Sequence, residues 1–384
     1  MVSPTAPVLI VAGEASGDMY GAELVADLVS KLGVNAPGFF GCGGQQMRQA
    51  GVETLVDIHS LAVLGPLEAV SHLFDFYAAL RLLSHTAIVR QSQVAILIDF
   101  PDFNLRLARK LKAHGIRVIY LISPQVWAWR SGRIKKIKSL VDQMLVILPF
   151  EKEFYAAKGV SVHYVGHPLV DKVRTTRPRE KFLETYHLDP STAIVSLLPG
   201  SRTKEIRFHL PVLLETAQRL SWSRPIQFLL PIASERHQTL VRQLISERRP
   251  DAKLRVIAND TYDAVACSDL AVVASGTATL ETALLETPFI TIFRISDLTW
   301  IIGQYLVRVP FYSLVNLIAG KEIVLELFQK DFTVERLYDE VLRHLDNGAL
   351  LKRVRMDLAS VRRQLGAGGA IHNAAQRLLP WLNA

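Results

Sequence analysis

Short, continuously apolar runs rich in β-branched residues alternate with helical patterns along almost the whole sequence. That alternation constrains the fold more than any other feature. In the first half the runs cover residues 8–12, 38–41, 94–98, 117–122, 143–147 and 162–165. Helical patterns separate them over 18–32, 104–114, 133–140 and 152–158. In the second half the runs recur at 194–198, 226–231, 254–257, 270–273 and 289–292, again alternating with helices. A run with no polar face suits a strand buried on both sides, hence a parallel sheet covered by helices. The reading is α/β, with two doubly wound, Rossmann-like domains facing a central cleft and a helical C-terminus. Ligands of such sheets sit at the carboxyl ends of the strands.

At 384 residues the chain exceeds one ordinary core. The expected division is an N-terminal domain over 1–169, a C-terminal domain over 170–365, and a segment over 366–384. The last helix, from Ile371 to Leu382, is expected to return to the N-terminal domain. The stretch 174–181 is charged, carries Pro178 and lacks an apolar stripe, so the hinge is expected there.

A net charge of +8 favours acidic partners: nucleic acid, an anionic membrane or phosphorylated substrates. Nucleic acid is the weakest of these, because no basic stretch is interleaved with aromatics and no binding signature is present. The densest basic cluster, Arg130, Arg133, Lys135, Lys136 and Lys138, follows Trp127 and Trp129. It reads either as a solvated helix face or as a helix lying on anionic headgroups. The apolar stretch 61–83 is a candidate for acyl or lipid contact and equally a core helix. Two distant cysteines, Cys42 and Cys267, point to a reducing compartment and away from disulfides or zinc. Residues 8–12 are too short for a signal peptide, and the apolar stretch 298–319 is broken by Arg308 and Pro310. The expectation is a cytoplasmic protein, peripheral on the inner face of the membrane.

Two turns carry anion-binding chemistry. Leu197-Leu198-Pro199-Gly200-Ser201-Arg202, with Glu205, reads as a strand that breaks at Pro-Gly and opens a helix near Thr203. Free N–H groups, the helix dipole and the Arg202 guanidinium all favour phosphate there. Ser275-Gly276-Thr277 opens a second such helix, with Glu281 one turn in, where a carboxylate can grip ribose hydroxyls. Together they suggest a nucleoside diphosphate at the edge of the C-terminal sheet.

The N-terminal half offers carboxylates instead. Glu14-Ala15-Ser16-Gly17-Asp18 follows the first strand without the G-x-G-x-x-G spacing of a dinucleotide site, and acids here suit sugar hydroxyls. Ser16 reads as the cap of a helix starting near Asp18. The turn Gly41-Cys42-Gly43-Gly44 has room for an acceptor. Asp99 stands at the mouth of an apolar strand, where burial raises a carboxylate's pKa and makes it a usable base. Asp102 falls at a helix N-cap position, with capping and base chemistry both open to it. Trp127 and Trp129 suit a sugar or acyl chain, or close the core. Asn316 and Gln329 are polar within apolar surroundings: core amides or ligand contacts. No metal-binding spacing is present.

Taken in order, these motifs resemble the lipid-A-disaccharide synthase family, of the GT-B glycosyltransferase fold. The residues that carry the resemblance are Ala12 through Asp18, Asp99-Phe100-Pro101-Asp102-Phe103-Asn104 and Ser123 through Arg130. It continues through Leu148-Pro149-Phe150-Glu151, Val165-Gly166-His167-Pro168, Leu198 through Arg202, Ala274 through Glu281 and Asn316 through Gly320. Small departures are Phe100, where an alanine often precedes the proline, and Leu325, where a more polar residue is usual. The resemblance implies transfer of 2,3-diacylglucosamine from UDP to the 6-hydroxyl of 2,3-diacylglucosamine 1-phosphate, with inversion and no metal or other cofactor. It places the base on Asp99, the turn arginine on Arg202, and nucleotide or sugar contacts on Glu14, Asn316 and Gln329. Ser16, Gly17, Asp102, Ser201, Glu205, Ser275, Gly276, Thr277 and Glu281 complete the candidate binding set. A second copy of the chain is a further candidate partner. The competing readings are a UDP-N-acetylglucosamine 2-epimerase or another UDP-sugar enzyme of the same architecture, such as a transferase with a different acceptor, and a non-catalytic nucleotide- or membrane-binding module.

Overall fold

The computed structural model describes residues 6–61, 69–129, 132–232, 237–296, 300 and 309–382, with the backbone alone at 61 and 69–73. Expectations for Arg130, for residues 62–68 and for most of 298–308 lie outside these.

The apolar runs form two wholly parallel sheets. Among the described residues the first has seven strands: β1 (Val8–Ala12), β2 (Phe39–Gly43), β3 (Glu53–Asp57), β4 (Val94–Ile98), β5 (Arg117–Leu121), β6 (Gln143–Val146) and β7 (Val162–Tyr164). Their order is β3-β2-β1-β4-β5-β6-β7, which reverses direction beside β1 and β4. The second has six: β8 (Ala193–Leu198), β9 (Ile226–Ile232), β10 (Lys253–Ala258), β11 (Leu270–Ala274), β12 (Phe289–Phe293) and β13 (Glu326–Phe328). Its order is β10-β9-β8-β11-β12-β13.

Strand alternation divides the apolar side chains between the two faces of each sheet. In the first, Leu9, Val11, Ala95, Leu97 and Tyr120 pack beneath helices Ala69–Val89 and Pro101–Lys112. Ile10, Ala12, Ile96, Ile98 and Leu121 face helices Ala15–Leu32 and Ala370–Leu382. These strands are buried at every position in β1 and β4, which is why they read as unbroken apolar runs.

The chain divides into two compact units. One is Met1–Pro168 with Ala367–Ala384; the other is Leu169–Gly366. The expected hinge at 174–181 is folded into the second unit instead. Thr176 donates from its amide to Asp263 at 2.7 Å and from its hydroxyl at 2.5 Å, and Arg177 pairs with Asp260 at 3.0 Å. Charge without an apolar stripe reads as a linker, but here Arg177 and Arg179 are tied to Asp260, Asp263 and Asp269 of the second unit. In the stretch 61–83, Leu80 and Leu83 belong to the core, whereas Phe74 and Tyr77 are 76% and 53% exposed.

Candidate active site

In the first unit, the carboxyl ends of β1, β4, β5 and β6 gather the polar groups. Asp99 and Phe100 both adopt left-handed backbone, φ +45° and +46°, a costly conformation for side-chain-bearing residues and one often found at functional sites. The turn is held by its main chain. The Asp99 amide donates to Leu121 at 2.9 Å, and its carbonyl accepts from Asn104 Nδ2 at 2.8 Å and from the Tyr120 hydroxyl. Phe100 lies across Gly13, whose Cα could carry no Cβ, because one would fall 2.1 Å from the ring. Burial, and then the nearby Glu14 charge, push the Asp99 carboxyl up to about 6, against a lowering bond from the Phe100 amide. That is a carboxylate poised to take a proton near neutral pH.

The other sequence-predicted residues of this unit fare differently. Glu14 is exposed beside Asp99, at the N-cap of helix Ala15–Leu32. Ser16 does not cap that helix, which starts one residue before it; Ser16 is exposed in the first turn. Gly17 is buried against β1, where a Cβ would lie 3.2 Å from that of Ala12, so close packing accounts for it. Asp18 accepts from the amides of Gly44 at 2.6 Å, Gln46 at 3.0 Å and Met47 at 3.1 Å and so holds the start of helix Gln45–Gln49. It has little capacity left for a sugar. Asp102 is not the cap of helix Pro101–Lys112, whose N-cap is Phe100; it lies in the first turn and pairs with Arg133. The Gly41–Gly43 segment is strand and not an open turn. A Cβ on Gly41 would meet the Ile10 carbonyl at 1.9 Å, so the glycine serves the neighbouring strand.

Sequence reasoning gave no role to Glu151. It is 1% exposed, accepts from the Leu148 amide at 3.1 Å and from the Trp127 indole at 3.2 Å, and is pushed up to about 7 chiefly by burial. Its signal was available: a glutamate three residues after the N-cap Leu148, in a helix that opens at Pro149, is the second half of a capping box. Trp127 is thereby fixed, with Phe150 packed edge-on at 5.1 Å. His167 is buried, which holds its imidazole down to about 4 and so neutral.

In the second unit, Ser201, Arg202, Glu205, Ser275, Gly276, Thr277 and Glu281 line one pocket of about 350 Å³ at the ends of β8 and β11. Gly200 makes the first turn possible, with φ +115° and its Cα against Glu205. The amides of this turn are not all free, as the sequence had suggested. Glu205 Oε2 accepts from Ser201 at 3.0 Å and Arg202 at 3.2 Å, and the Ser275 amide donates to Ile292. The amides of Thr277 and Ala278 belong to the first turn of helix Thr277–Leu284, where no intrahelical acceptor exists, and both residues line the pocket. The Arg202 side chain is 84% exposed and, among the described residues, is tethered to Glu205 alone, at 3.2 Å. Glu281 accepts from the Tyr262 hydroxyl at 3.0 Å, and burial raises its pKa. His209 fastens the turn from behind: Nδ1 lies 2.7 Å from the Pro199 carbonyl, and Nε2 accepts from the Arg294 amide at 2.9 Å.

Asn316 is engaged within the fold. It is fully buried; Nδ2 donates to the Val324 carbonyl and Glu326, and Oδ1 accepts from Ile323 and Val324, which uses its whole capacity. Gln329 spends its amide on both backbone groups of Ile295, at 2.7 and 3.1 Å, and so clamps the end of β12. Among the described residues, no group of three or more His, Cys, Asp or Glu is arranged to hold a metal ion.

Two parallel Rossmann-like sheets, one with a carboxylate of raised pKa at a strand end and the other with a glycine turn beside an open helix start, have the architecture of a GT-B glycosyltransferase. Solved structures share this fold. The UDP-GlcNAc 2-epimerase from Neisseria meningitidis bound to UDP-GlcNAc aligns with TM-score 0.66 at 11% identity, over 97% of this chain and 100% of that one. The calicheamicin glycosyltransferase CalG4 aligns with TM-score 0.60 at 14% identity, over 100% and 99%. Residues 8–378 match the family model of lipid-A-disaccharide synthetase. The lipid-A-disaccharide synthase of Geobacter sulfurreducens is 43% identical over 98% of this chain and 97% of its own length. That of Syntrophus aciditrophicus is 45% identical over 96% of each. The chain belongs to the lipid-A-disaccharide synthase family.

Proposed function

We propose that this glycosyltransferase moves 2,3-diacylglucosamine from UDP to the 6-hydroxyl of 2,3-diacylglucosamine 1-phosphate, with inversion at the anomeric carbon. The observation that carries the reading is Asp99, half-buried and poised near 6, at the switch point of its sheet. Its carboxylate takes the proton of the acceptor hydroxyl as that oxygen attacks the anomeric carbon. The bond from that carbon to the diphosphate breaks in the same step, and its electrons leave with UDP.

Arg202 and the first-turn amides of Thr277 and Ala278 stabilise the departing diphosphate. Glu281 serves the ribose. A hollow of about 370 Å³ that shares Thr261 and Glu281 with the diphosphate pocket offers room for the base. Glu205 already occupies the Ser201 and Arg202 amides, so bound diphosphate either displaces its carboxylate or is met from the Thr277 side.

Peripheral membrane contact fits acyl-bearing substrates. No helix among the described residues is long and apolar enough to cross a membrane. Exposed Phe74 and Leu82, with Trp129 beside the basic helix Arg133–Leu140, supply an interfacial surface. The test is incubation of purified protein with UDP-diacylglucosamine and the monosaccharide 1-phosphate in the presence of chelator. A lipid disaccharide 1-phosphate and UDP are expected. Release of an isomerised UDP-sugar without acceptor would assign the chain to the epimerases instead.

A further inference from the structure

The first unit carries a groove of about 680 Å³ that the transfer chemistry above leaves unused. It lies among helices Ala69–Val89, Pro101–Lys112 and Arg133–Leu140. Arg106, Arg109, Lys110, Arg133 and Lys136 line it, against one carboxylate, Asp102, which is already paired with Arg133. Among the described residues the other four cations form no ion pair. Its apolar lining comes from Tyr77, Leu80 and Leu105.

This concentration of charge is unfavourable for the free protein. Arg106 stands three and four residues before Arg109 and Lys110, so like charges share one helix face. Arg133 and Lys136 open their helix, whose first turn has no acid, and the dipole disfavours cations there. Helix-end electrostatics accounts for Arg109 and Lys110 in a last turn, but for none of the other three. An anion that enters the groove relieves all of these repulsions at once.

The chain connects the groove directly to the base. Asp99 is followed by Phe100, then by Pro101 and Asp102, which line the groove. Arg106 lies four residues beyond Asp102 in the same helix, about 6 Å along its axis. Arginine forks suit a phosphate monoester, and the apolar lining suits a molecule that also carries acyl chains.

We propose that this groove binds the 1-phosphate of the acceptor and thereby selects the phosphorylated monosaccharide over its uncharged counterpart. The inference rests on the transfer reaction above and deepens it. Arg106 and Lys136 are specificity residues in this account, and neither takes part in proton transfer.

The test is steady-state kinetics of Arg106→Ala, Lys136→Ala and the double variant in neutral-detergent micelles. The acceptor is supplied with and without its 1-phosphate. For the phosphorylated acceptor, KM should rise roughly 10- to 100-fold per lost charge-assisted contact. The kcat and the KM for the UDP-sugar should stay within about twofold, as expected of folded variants. With the unphosphorylated acceptor, wild type and variants should be equally poor. An unchanged KM for the phosphorylated acceptor, combined with lost sedimentation on phosphatidylglycerol vesicles, would overturn the proposal and give the cations to the membrane. An equal loss with both acceptors would also overturn it, because phosphate would then not be what the groove reads. No disaccharide from wild type would sink the transfer reaction and the groove assignment together, whereas normal wild-type turnover with unaltered variants sinks the groove alone.

Discussion

Asn104 holds Asp99 by its main-chain carbonyl, through Nδ2 at 2.8 Å, and not by its carboxylate. The same amide reaches the Ile98 carbonyl at 3.2 Å. A fully buried side chain is thus used to pin a strained turn while the acid it presents stays available for chemistry.

Replacement of Asp99 by Asn should lower turnover by about 10²- to 10⁴-fold, the usual worth of a positioned general base. UDP affinity should be unaltered, because the nucleotide residues belong to the other compact unit. Isothermal titration with UDP beside a turnover assay separates the two. Near-normal turnover would remove Asp99 from the role of base.

The same variant should be more stable than wild type at neutral pH. A carboxyl raised from 3.8 to about 6 contributes fully to stability below pH 3.8 and loses that contribution as pH rises through about 6. Asn carries no such loss and tolerates left-handed backbone. A gain on the order of 1–3 kcal/mol in urea unfolding is expected at pH 7.5, shrinking towards pH 4. In wild type, kcat/KM should fall with unit slope below about pH 6, the range in which Asp99 is protonated.

Two changes at the anion-binding turn should have opposite profiles. Gly200→Ala places a methyl 2.5 Å from Glu205 Oε2 at φ +115°, and a stability loss of roughly 1–3 kcal/mol is expected along with weaker UDP binding. Arg202→Ala should leave the melting temperature unchanged, given its exposure, while UDP affinity drops roughly 10- to 100-fold. Differential scanning calorimetry and UDP titration read both.

Asn316→Ala should behave as a lesion of the fold. It strands the amides of Ile323 and Val324 in the core, at about 1–3 kcal/mol for each unsatisfied group. UDP affinity of the folded protein should persist. A variant that melted like wild type but lost affinity for the UDP-sugar would restore Asn316 to the ligand.

Acidification should loosen the turn through His209, whose Nε2 must be unprotonated to accept from Arg294. Burial depresses this imidazole, so its contribution is complete above the ordinary histidine range, about 6.5, and is lost as pH falls below it. His209→Gln should lessen the decline in UDP affinity between pH 7 and 5, as followed by fluorescence titration.

Much of this architecture was legible because β1, β4, β8 and β11 are almost wholly apolar, a pattern that only strands covered on both faces require. Strand β3, Glu53–Asp57, escaped notice because an edge strand half open to water has no such run. Strand β13 is a three-residue edge and shares the reason. At the site, Asp99 and the two phosphate-type turns were readable from where strands end. The hydrogen bonds of Asn316, Gln329 and Asp18 within the fold were not, because their partners come from other segments that folding brings to them. Glu205 is the intermediate case, with its cap written in the spacing but its occupation of the Ser201 and Arg202 amides visible only in three dimensions.

The first compact unit is assembled from the two ends of the polypeptide, Met1–Pro168 and Ala367–Ala384. Its late arrival is the helix Ala370–Leu382, which seals Ile371, Ala374, Ala375 and Leu378 into one side of the sheet. About 200 residues separate the pieces, so at ribosomal speeds of 5–20 residues per second the sheet waits roughly 10–40 s with that side covered only in part, by helix Ala15–Leu32. During synthesis the order of completion is therefore inverted: the segment made second can finish folding before the segment made first. A nascent chain stalled short of residue 370 would expose that unsealed apolar side to chaperones and proteases.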